Sequence, residues 1–262
     1  MKHLRKYENA PFHITVIHGG PGAAGEMAPV AHKLSSGQGV LEPLQTATSV
    51  QGQIEELKTV LEKNGNLPVT LAGFSWGAWL SFIFAAGYPE FVKKLILIGS
   101  GPFEEKYAAK IQETRLNRLG EQDNLKVRSA IETLNNPLAE NKNALFAQFG
   151  ALFSKADAYD PVNNPGDFGK IDFNLEIYTT IWKDAVEMRK SGKLLELGKR
   201  VRCPVVAIHG DYDPHPAEGV RKPLSEILEN FRFTLLRYCG HKPWIERHAK
   251  DRFYYILKQE LL

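Results

Sequence analysis

The amino-acid sequence predicts an α/β fold, in which a mostly parallel sheet carries helices on both faces and a helical insertion. Short runs of apolar, mostly β-branched residues recur without polar alternation, as is typical of strands buried on both faces. Stretches with helical spacing separate these runs, and strand–helix–strand alternation indicates a parallel sheet with right-handed crossovers. The runs are residues 14–17, 69–72, 95–98 and 205–208.

Other elements follow from the same patterns. Ile54, Leu57 and Leu61 share one face at helical spacing and predict a helix that ends before the turn near residue 65. Further predicted elements are an apolar helix over residues 78–86, a strand over residues 231–238 and a closing helix over residues 245–261.

The strand–helix alternation stops between residues 102 and 198, where the sequence is rich in Lys, Glu, Asn and Ala. This segment predicts several amphipathic helices, interrupted by a turn-rich stretch at residues 157–169. We therefore expect an α/β core made of residues 1–101 and 199–262, with residues 102–198 inserted as a helical cap.

The composition suits one substantial globular domain. The 262 residues are 43% hydrophobic and 24% charged, with a formal net charge of +3. No basic run or basic–aromatic stripe indicates nucleic-acid binding. The polar N-terminus lacks the apolar stretch of a secretory signal, and the longest apolar run, residues 77–86, is too short to cross a bilayer. We expect a cytoplasmic protein without a membrane partner, and the oligomeric state stays unknown.

Cys203 and Cys239 are predicted at opposite ends of parallel strands. At about 3.3 Å per residue such ends lie roughly 20 Å apart. A disulfide needs Cα atoms within about 7 Å. We expect two free thiols, which suits a reducing compartment.

The strongest signal for chemistry is GFSWG at residues 73–77, between a predicted strand and a predicted apolar helix. In such a turn the serine takes a strained backbone conformation that lifts its hydroxyl out of the sheet. Glycine suits the two crowded positions beside it, and the helix N-terminus favours developing negative charge. A chance match in a loop would lack these flanking elements, so Ser75 is the predicted nucleophile.

HGGPG at residues 18–22 directly follows the predicted strand at residues 14–17. Glycines let the backbone approach a ligand closely, and a tetrahedral intermediate needs two N–H donors on its oxyanion. We assign these donors to the N–H groups of Gly20 and Trp76. The alternatives are a plain glycine turn and a phosphate-binding loop. The second is disfavoured, because the glycine spacing of a phosphate-binding loop is missing.

A serine hydroxyl needs a base, and His241 is the predicted base among eight histidines. It follows a predicted strand, at the end of the sheet where Ser75 must lie. His209 and His18 also follow strands, and we expect both to be packed structural residues. The remaining histidines are expected in loops or on the surface: His3, His13, His32, His215 and His248.

The carboxylate that orients the base is expected in GDYD at residues 210–213. Asp213 is preferred, because the loop must project past the strand before a carboxylate can turn toward His241. Asp211, a residue typical of turns, is the alternative acid. The chain order Ser…Asp…His also fits a nucleophile on a strand-to-helix turn.

The group His209, Asp211, Asp213 and His215 raises the question of a zinc site. Side chains at alternate positions of a turning loop need not converge, and Asp213 already has a predicted role. We therefore predict no metal and no cofactor.

These motifs give the sequence a resemblance to the α/β-hydrolase superfamily across nearly its whole length. HGGPG, together with a tryptophan after the serine, resembles the prolyl iminopeptidase-like branch. The resemblance implies a cofactor-free hydrolase that holds its substrate between core and cap, with Ser75, Asp213 and His241 as nucleophile, acid and base. The residues that carry it are 18–22, 73–77, 210–213 and 240–241.

The sequence departs from this family in two places. The family usually has an antiparallel strand pair before its first parallel strand, but only about a dozen residues precede Ile14, so we expect a shortened sheet edge. It commonly has Asp-x-Arg-Gly-x-Gly-x-Ser before its second helix, whereas residues 41–48 read LEPLQTAT. True prolyl iminopeptidases also use cap carboxylates to hold a free amine. No pair stands out here among Glu104, Glu105, Glu113 and Glu176.

The sequence thus predicts a serine hydrolase that cleaves a small ester or amide through an acyl-enzyme, with a small molecule as its substrate. The alternatives are a carbon–carbon bond hydrolase and a non-enzymatic small-molecule sensor on the same scaffold. Five cap aromatics could line an apolar pocket or only pack within the cap: Phe146, Phe149, Phe153, Tyr178 and Trp182.

Overall fold

A computed structural model describes residues 3–136, 138–162 and 171–261 of the chain. The strands are β1 (Leu4–Tyr7), β2 (Phe12–Ile17), β3 (Ala23–Ala24), β4 (Gly39–Pro43), β5 (Val69–Phe74), β6 (Val92–Ile98), β7 (Asp172–Phe173), β8 (Val205–Gly210) and β9 (Phe231–Leu236). The helices are α1 (Ala28–Leu34), α2 (Val50–Asn64), α3 (Trp76–Gly87), α4 (Ile111–Arg118), α5 (Glu121–Asn135), α6 (Lys142–Asp157), α7 (Leu175–Lys190), α8 (Lys193–Glu196), α9 (Glu218–Ile227) and α10 (Lys250–Leu261).

Within these ranges a seven-stranded sheet has the strand order β1-β4-β2-β5-β6-β8-β9. Strand β1 runs antiparallel to β4, and every other pair in this sheet is parallel. The predicted mostly parallel sheet is confirmed. The family usually has an antiparallel strand pair at this edge of the sheet, and the sequence predicted a shortened edge. The described residues form one antiparallel strand there, β1.

Both faces of the sheet are buried, which explains why the strands are continuously apolar. Successive side chains of a strand point to opposite faces. In β6, Leu95 and Leu97 therefore pack with α2 and α3, whereas Ile96 and Ile98 pack with α1 and α10. The predicted helical face of α2 is buried in the first of these clusters. Helices on both faces are confirmed.

Two predicted boundaries near the C-terminus were wrong. Strand β9 ends at Leu236 rather than at residue 238, and Tyr238 has a φ of +55°, which turns the chain. The closing helix begins at Lys250 rather than at residue 245. The preceding residues form a short 3₁₀ turn and bind another segment, since Val162 N–H donates to Ile245 O at 2.7 Å.

The segment from residue 102 to residue 198 contains helices α4 to α8, as the amphipathic pattern predicted. It also contains β7, which pairs antiparallel with β3 and was not predicted. Helix α7 buries Ile181 and Ala185 in the same apolar cluster as α2 and α3, so this part of the segment shares the main core. The domain boundaries stay a prediction, and residues 163–169 of the turn-rich stretch lie outside the described residues.

Cys203 and Cys239 are free thiols, as predicted. Among the described helices, none has the combined length and apolar character that crossing a bilayer requires. The cytoplasmic location stays a prediction.

Candidate active site

Ser75 lies at the turn between β5 and α3. Its backbone has φ +52° and ψ −114°, a strained conformation for a residue with a side chain. Its N–H donates to Ile98 O at 2.9 Å, which ties the turn to the end of the neighbouring strand β6. The structure therefore has the strained strand-to-helix turn that the GFSWG motif predicted.

The two glycines of this motif are required by contact rather than by backbone angle. A Cβ on Gly73 would lie 2.1 Å from Gly77 O, and a Cβ on Gly77 would lie 2.3 Å from Ile17 O. Both distances are far below van der Waals contact, and both obstacles are backbone atoms that cannot move aside. Close packing of β5, α3 and β2 thus leaves room for glycine alone.

His241 and Asp213 meet beyond the carboxyl ends of β9 and β8. His241 Nδ1 lies 2.7 Å from Asp213 Oδ2, and the Asp213 side chain is 0% exposed. Burial alone would raise the pKa of this carboxyl. Electrostatic interaction with the facing imidazoles of His241, His215 and His209, together with the hydrogen bond to His215, outweighs burial and holds the Asp213 pKa well below its usual range. Asp213 is therefore a buried carboxylate aimed at His241.

Asp211, the alternative acid, points elsewhere. Its Oδ1 accepts the backbone N–H of Cys239 at 3.2 Å, and its Oδ2 lies 3.7 Å from Arg237 Nη1. These contacts hold the turn after β8 against the turn after β9. The structure therefore brings Asp213, and not Asp211, to His241.

His215 lies in the loop between β8 and α9, within the loop-or-surface prediction, but it is buried rather than exposed. Both its backbone N–H and its Nδ1 contact Asp213 Oδ1, at 2.9 and 2.7 Å. Its ring centroid lies 4.5 Å from that of His241. Burial lowers the pKa of His215 to about 4, so the ring is neutral near pH 7. The missed signal was the Asp-x-His spacing, in which an aspartate binds the N–H two residues on.

His209 and His18 are buried and hydrogen-bonded, which is the packed environment predicted for them. His209 Nε2 contacts His215 O at 2.8 Å and lies 3.5 Å from Asp213 Oδ2. His18 Nδ1 contacts Gly19 O at 2.8 Å, and its Nε2 accepts the Gln45 N–H at 3.3 Å. Burial lowers the pKa of His18, consistent with a neutral ring. The remaining histidines are exposed as predicted: His3, His13, His32 and His248.

Gly20 and Trp76 carry the predicted oxyanion donors. Trp76 is the first residue of α3, a position whose N–H has no acceptor within its own helix. Gly20 has a φ of +104° and shares a cavity wall with Ser75. Their assignment as oxyanion donors stays a prediction.

A cavity of about 310 Å³ opens beside Ser75. His241 and His215 line it from the sheet side, and α4, α6 and α7 supply the opposite wall. All five predicted aromatics contribute to the wall, and they also pack on one another, with Phe149 and Phe153 centroids 4.4 Å apart. These residues therefore line the cavity as well as packing on one another.

Ser75 and His241 line the same cavity, but no hydrogen bond joins the Ser75 hydroxyl to the His241 ring in this structure. Catalytic hydrogen bonds are often long without substrate and shorten in the reacting complex. The geometry thus joins the predicted base to the predicted acid and places the predicted nucleophile at the same cavity.

The acids of the cavity wall are not the four that the sequence singled out. Within the described wall the carboxylates are Glu26 and Asp157, and each is bound by a cation. Glu26 Oε1 lies 2.7 Å from Lys242 Nζ, and Arg115 binds both oxygens of Asp157 at 2.7 Å. No pattern in the sequence marked these pairs, which join residues distant along the chain.

A buried carboxylate holds the loop that carries His241. Glu246 Oε1 accepts the N–H groups of Gly240 and Tyr159, both at 2.9 Å, and its Oε2 accepts the N–H of Asp160 at 2.8 Å. His241 N–H in turn donates to Asp157 O at 2.9 Å. The histidine loop is therefore fixed to the end of α6 and the residues that follow it.

We expect Glu246→Gln to destabilise the protein by about 1–3 kcal/mol, because the amide replaces an acceptor with a donor that faces buried N–H groups. Denaturant unfolding of the variant measures this loss. Glu62→Gln, at an exposed pair with Lys58, is the matched control and should change stability little. Equal stability of the Glu246 variant and the parent would contradict the expectation.

Among the described residues, the group closest to a set of metal ligands is Asp213, His215 and His241, whose ligand atoms lie within 4.8 Å of one another. Each Asp213 oxygen contacts an imidazole nitrogen at 2.7 Å. A metal ion would have to displace both of these hydrogen bonds, so the arrangement favours hydrogen bonding between the three side chains over metal binding.

Comparisons with known proteins agree with this fold. A family model described as the alpha/beta hydrolase fold matches residues 43–247. A proline iminopeptidase from Lactobacillus delbrueckii subsp. lactis is 27% identical over 265 aligned residues, covering 90% of this chain and 86% of the relative.

Solved structures show the same fold at lower identity. The crystal structure of VinJ has a TM-score of 0.68 at 16% identity, with 98% of this chain and 93% of that chain covered. A proline iminopeptidase from Mycobacterium smegmatis has a TM-score of 0.63 at 17% identity, with the same coverage. The matched family model spans most of the sequence. This chain belongs to the α/β-hydrolase fold family, is similar within it to proline iminopeptidases, and is a hydrolase enzyme.

Proposed function

We propose that this chain is a serine hydrolase that cleaves a small ester or amide through an acyl-enzyme. The observation that supports this most is the 2.7 Å contact between His241 and Asp213 at the cavity that Ser75 also lines. In the proposal Ser75 is the nucleophile, His241 is the base and Asp213 orients the base.

The contact with Asp213 assigns the proton of His241 to Nδ1, which leaves Nε2 to accept the Ser75 proton. Ser75 Oγ then attacks the substrate carbonyl, and the oxyanion accepts hydrogen bonds from the N–H groups of Gly20 and Trp76. The leaving group takes the proton from His241. A water molecule, deprotonated by the same ring, then attacks the acyl carbon, and the ring returns the proton to Ser75 Oγ as the bond between Oγ and the acyl group breaks.

In this proposal residues 102–198 act as the cap over the bound substrate. Helices α6 and α7 supply aromatic groups to the cavity wall, among them Phe146, Tyr178 and Trp182. These groups give the cavity an apolar wall and favour a substrate with an apolar part.

The similarity to proline iminopeptidases makes an N-terminal proline amide a substrate to assay. Such a substrate carries a free amine, which needs an unpaired carboxylate. Within the described wall, Glu26 and Asp157 are both already bound by cations. We therefore propose a small ester or amide without a free amine ahead of a peptide substrate.

A fluorophosphonate probe tests the proposal, because it reacts only with an activated serine. We expect labelling close to one probe per chain, located at Ser75 by mass spectrometry and lost in Ser75→Ala. Ser154→Ala is the matched control, since Ser154 also lines the cavity, and it should label like the parent. A chain that binds a small molecule without labelling or turnover would instead be a sensor.

A further inference from the structure

The charges of the cavity wall cancel only in part. Apart from imidazoles, the described wall carries the cations Arg115, Arg189 and Lys242 and the carboxylates Glu26 and Asp157. Lys242 binds Glu26, and Arg115 binds Asp157 through two nitrogens, so these four charges form two close pairs. Arg189 is the cation that no carboxylate of the wall neutralises.

The partner of Arg189 lies outside the cavity wall. Glu105 Oε2 contacts Arg189 Nε at 2.8 Å, but its side chain is 46% exposed, whereas that of Arg189 is 7% exposed. Water and salt therefore screen the glutamate charge more than the arginine charge. Within the described chain, the two terminal nitrogens of Arg189 have no hydrogen-bond partner, so both can donate to a ligand.

An aromatic stack holds the guanidinium in place. Arg189 Cζ lies 5.6 Å from the Trp79 ring, which stacks on Trp182 at 6.0 Å with an interplanar angle of 7°. Tyr178 continues the stack, at 6.3 Å from Trp182 and an angle of 10°. Trp79 follows Ser75 by one turn of α3, about 6 Å along the helix axis. A cation fixed on this stack thus lies in the cavity of the nucleophile.

We propose that the substrate carries a carboxylate, which the terminal nitrogens of Arg189 bind. A planar guanidinium matches a carboxylate with two parallel hydrogen bonds, and the apolar wall strengthens them. This inference rests on the proposed function and names the substrate class of that same site. It separates this chain from an enzyme for cationic aminoacyl substrates, because Arg189 repels a free amine.

Two matched substrate pairs test the inference. Monoethyl adipate and ethyl hexanoate differ by a carboxylate on the acyl part, and para-carboxyphenyl acetate and phenyl acetate differ by one on the leaving group. We expect kcat/KM for the anionic member of at least one pair to exceed that of its neutral partner about ten- to a hundredfold. Equal or better hydrolysis of both neutral members would overturn the inference.

Variants of the pair separate recognition from packing. Arg189→Gln should remove the preference, Arg189→Lys should retain part of it, and Glu105→Gln should increase it, because it frees the guanidinium. Arg200→Gln, at an exposed arginine, is the matched control and should leave the preference unchanged. If the Arg189–Glu105 pair only supported packing, both partners' variants would change kcat/KM equally for anionic and neutral substrates, and the inference would fail.

Binding measured without turnover keeps this inference distinct from the proposed function. Calorimetry on Ser75→Ala should show benzoate binding at least about tenfold more tightly than benzamide, with the difference lost on adding Arg189→Gln. Benzoate binding by a chain that labels with no fluorophosphonate would overturn the proposed function alone. Hydrolysis of neutral esters, with no preference for benzoate over benzamide, would overturn the anion site alone.

Discussion

Replacing Ser75 with alanine is expected to lower kcat/KM for any small ester that the parent hydrolyses by about 10³- to 10⁶-fold. The other members of the proposed triad cannot compensate, because a base without a nucleophile only activates water in a poor position. Initial rates under substrate-limited conditions measure the ratio directly. The residual rate reports what the oxyanion donors and binding contribute alone.

The fold of this variant should be unchanged, which makes the loss of rate interpretable. Alanine keeps the Cβ at the strained φ of +52°, so the backbone strain stays the same. The hydroxyl that it removes has no hydrogen-bond partner among the described residues. Unfolding in denaturant should therefore match the parent within about 0.5 kcal/mol. Ser154→Ala should lower the rate little, and a Ser75→Ala protein with full esterase activity would refute the proposed nucleophile.

Both the sheet and the residues of the proposed triad could be predicted from the sequence, because both depend on local patterns. Apolar runs fixed the strands, and motifs at strand ends fixed where polar residues leave the sheet. The carboxyl ends of parallel strands lie at one edge, so Asp213 and His241 had to approach each other once their strands were assigned. Their 2.7 Å contact is the outcome of that topology.

Pairs that join distant segments could not be predicted in the same way. Arg189 and Glu105 are 84 positions apart, and no periodicity links a residue near the end of α7 to one before α4. Glu246 was assigned to a helix by its neighbours, yet it binds the N–H groups of Tyr159 and Asp160. Such contacts depend on how the helical segment sits on the core, which a single sequence does not encode in any local pattern.

The second large expected effect is on kcat, and it distinguishes Asp213 from Asp211 as the residue that orients His241. We expect Asp213→Asn to lower kcat about 10⁴-fold, the size known for the equivalent change in a serine protease. The corresponding Asp211→Asn should cost less than about threefold in kcat, because that side chain contacts a turn N–H and Arg237 instead of His241. Both variants are measured with the same ester under saturating conditions.

The loss in Asp213→Asn has a specific cause in this structure. Each carboxylate oxygen accepts from one imidazole, His215 on Oδ1 and His241 on Oδ2. An asparagine has one acceptor oxygen and one donor NH₂, so one of the two rings must reverse its tautomer to keep its hydrogen bond. If His241 reverses, its Nε2 carries a proton and cannot accept one from Ser75. If His215 reverses instead, the base keeps its tautomer but loses the negative charge that stabilises the imidazolium.

Nitrogen-15 spectra of the imidazoles distinguish the two outcomes, because they report which nitrogen of each ring is protonated. A kcat that falls more in Asp211→Asn than in Asp213→Asn would transfer the orienting role to Asp211. The buried contacts argue against that transfer. Asp213 faces three imidazoles with no exposed side-chain surface, and a carboxylate held ionised in that position stabilises positive charge on the ring beside it.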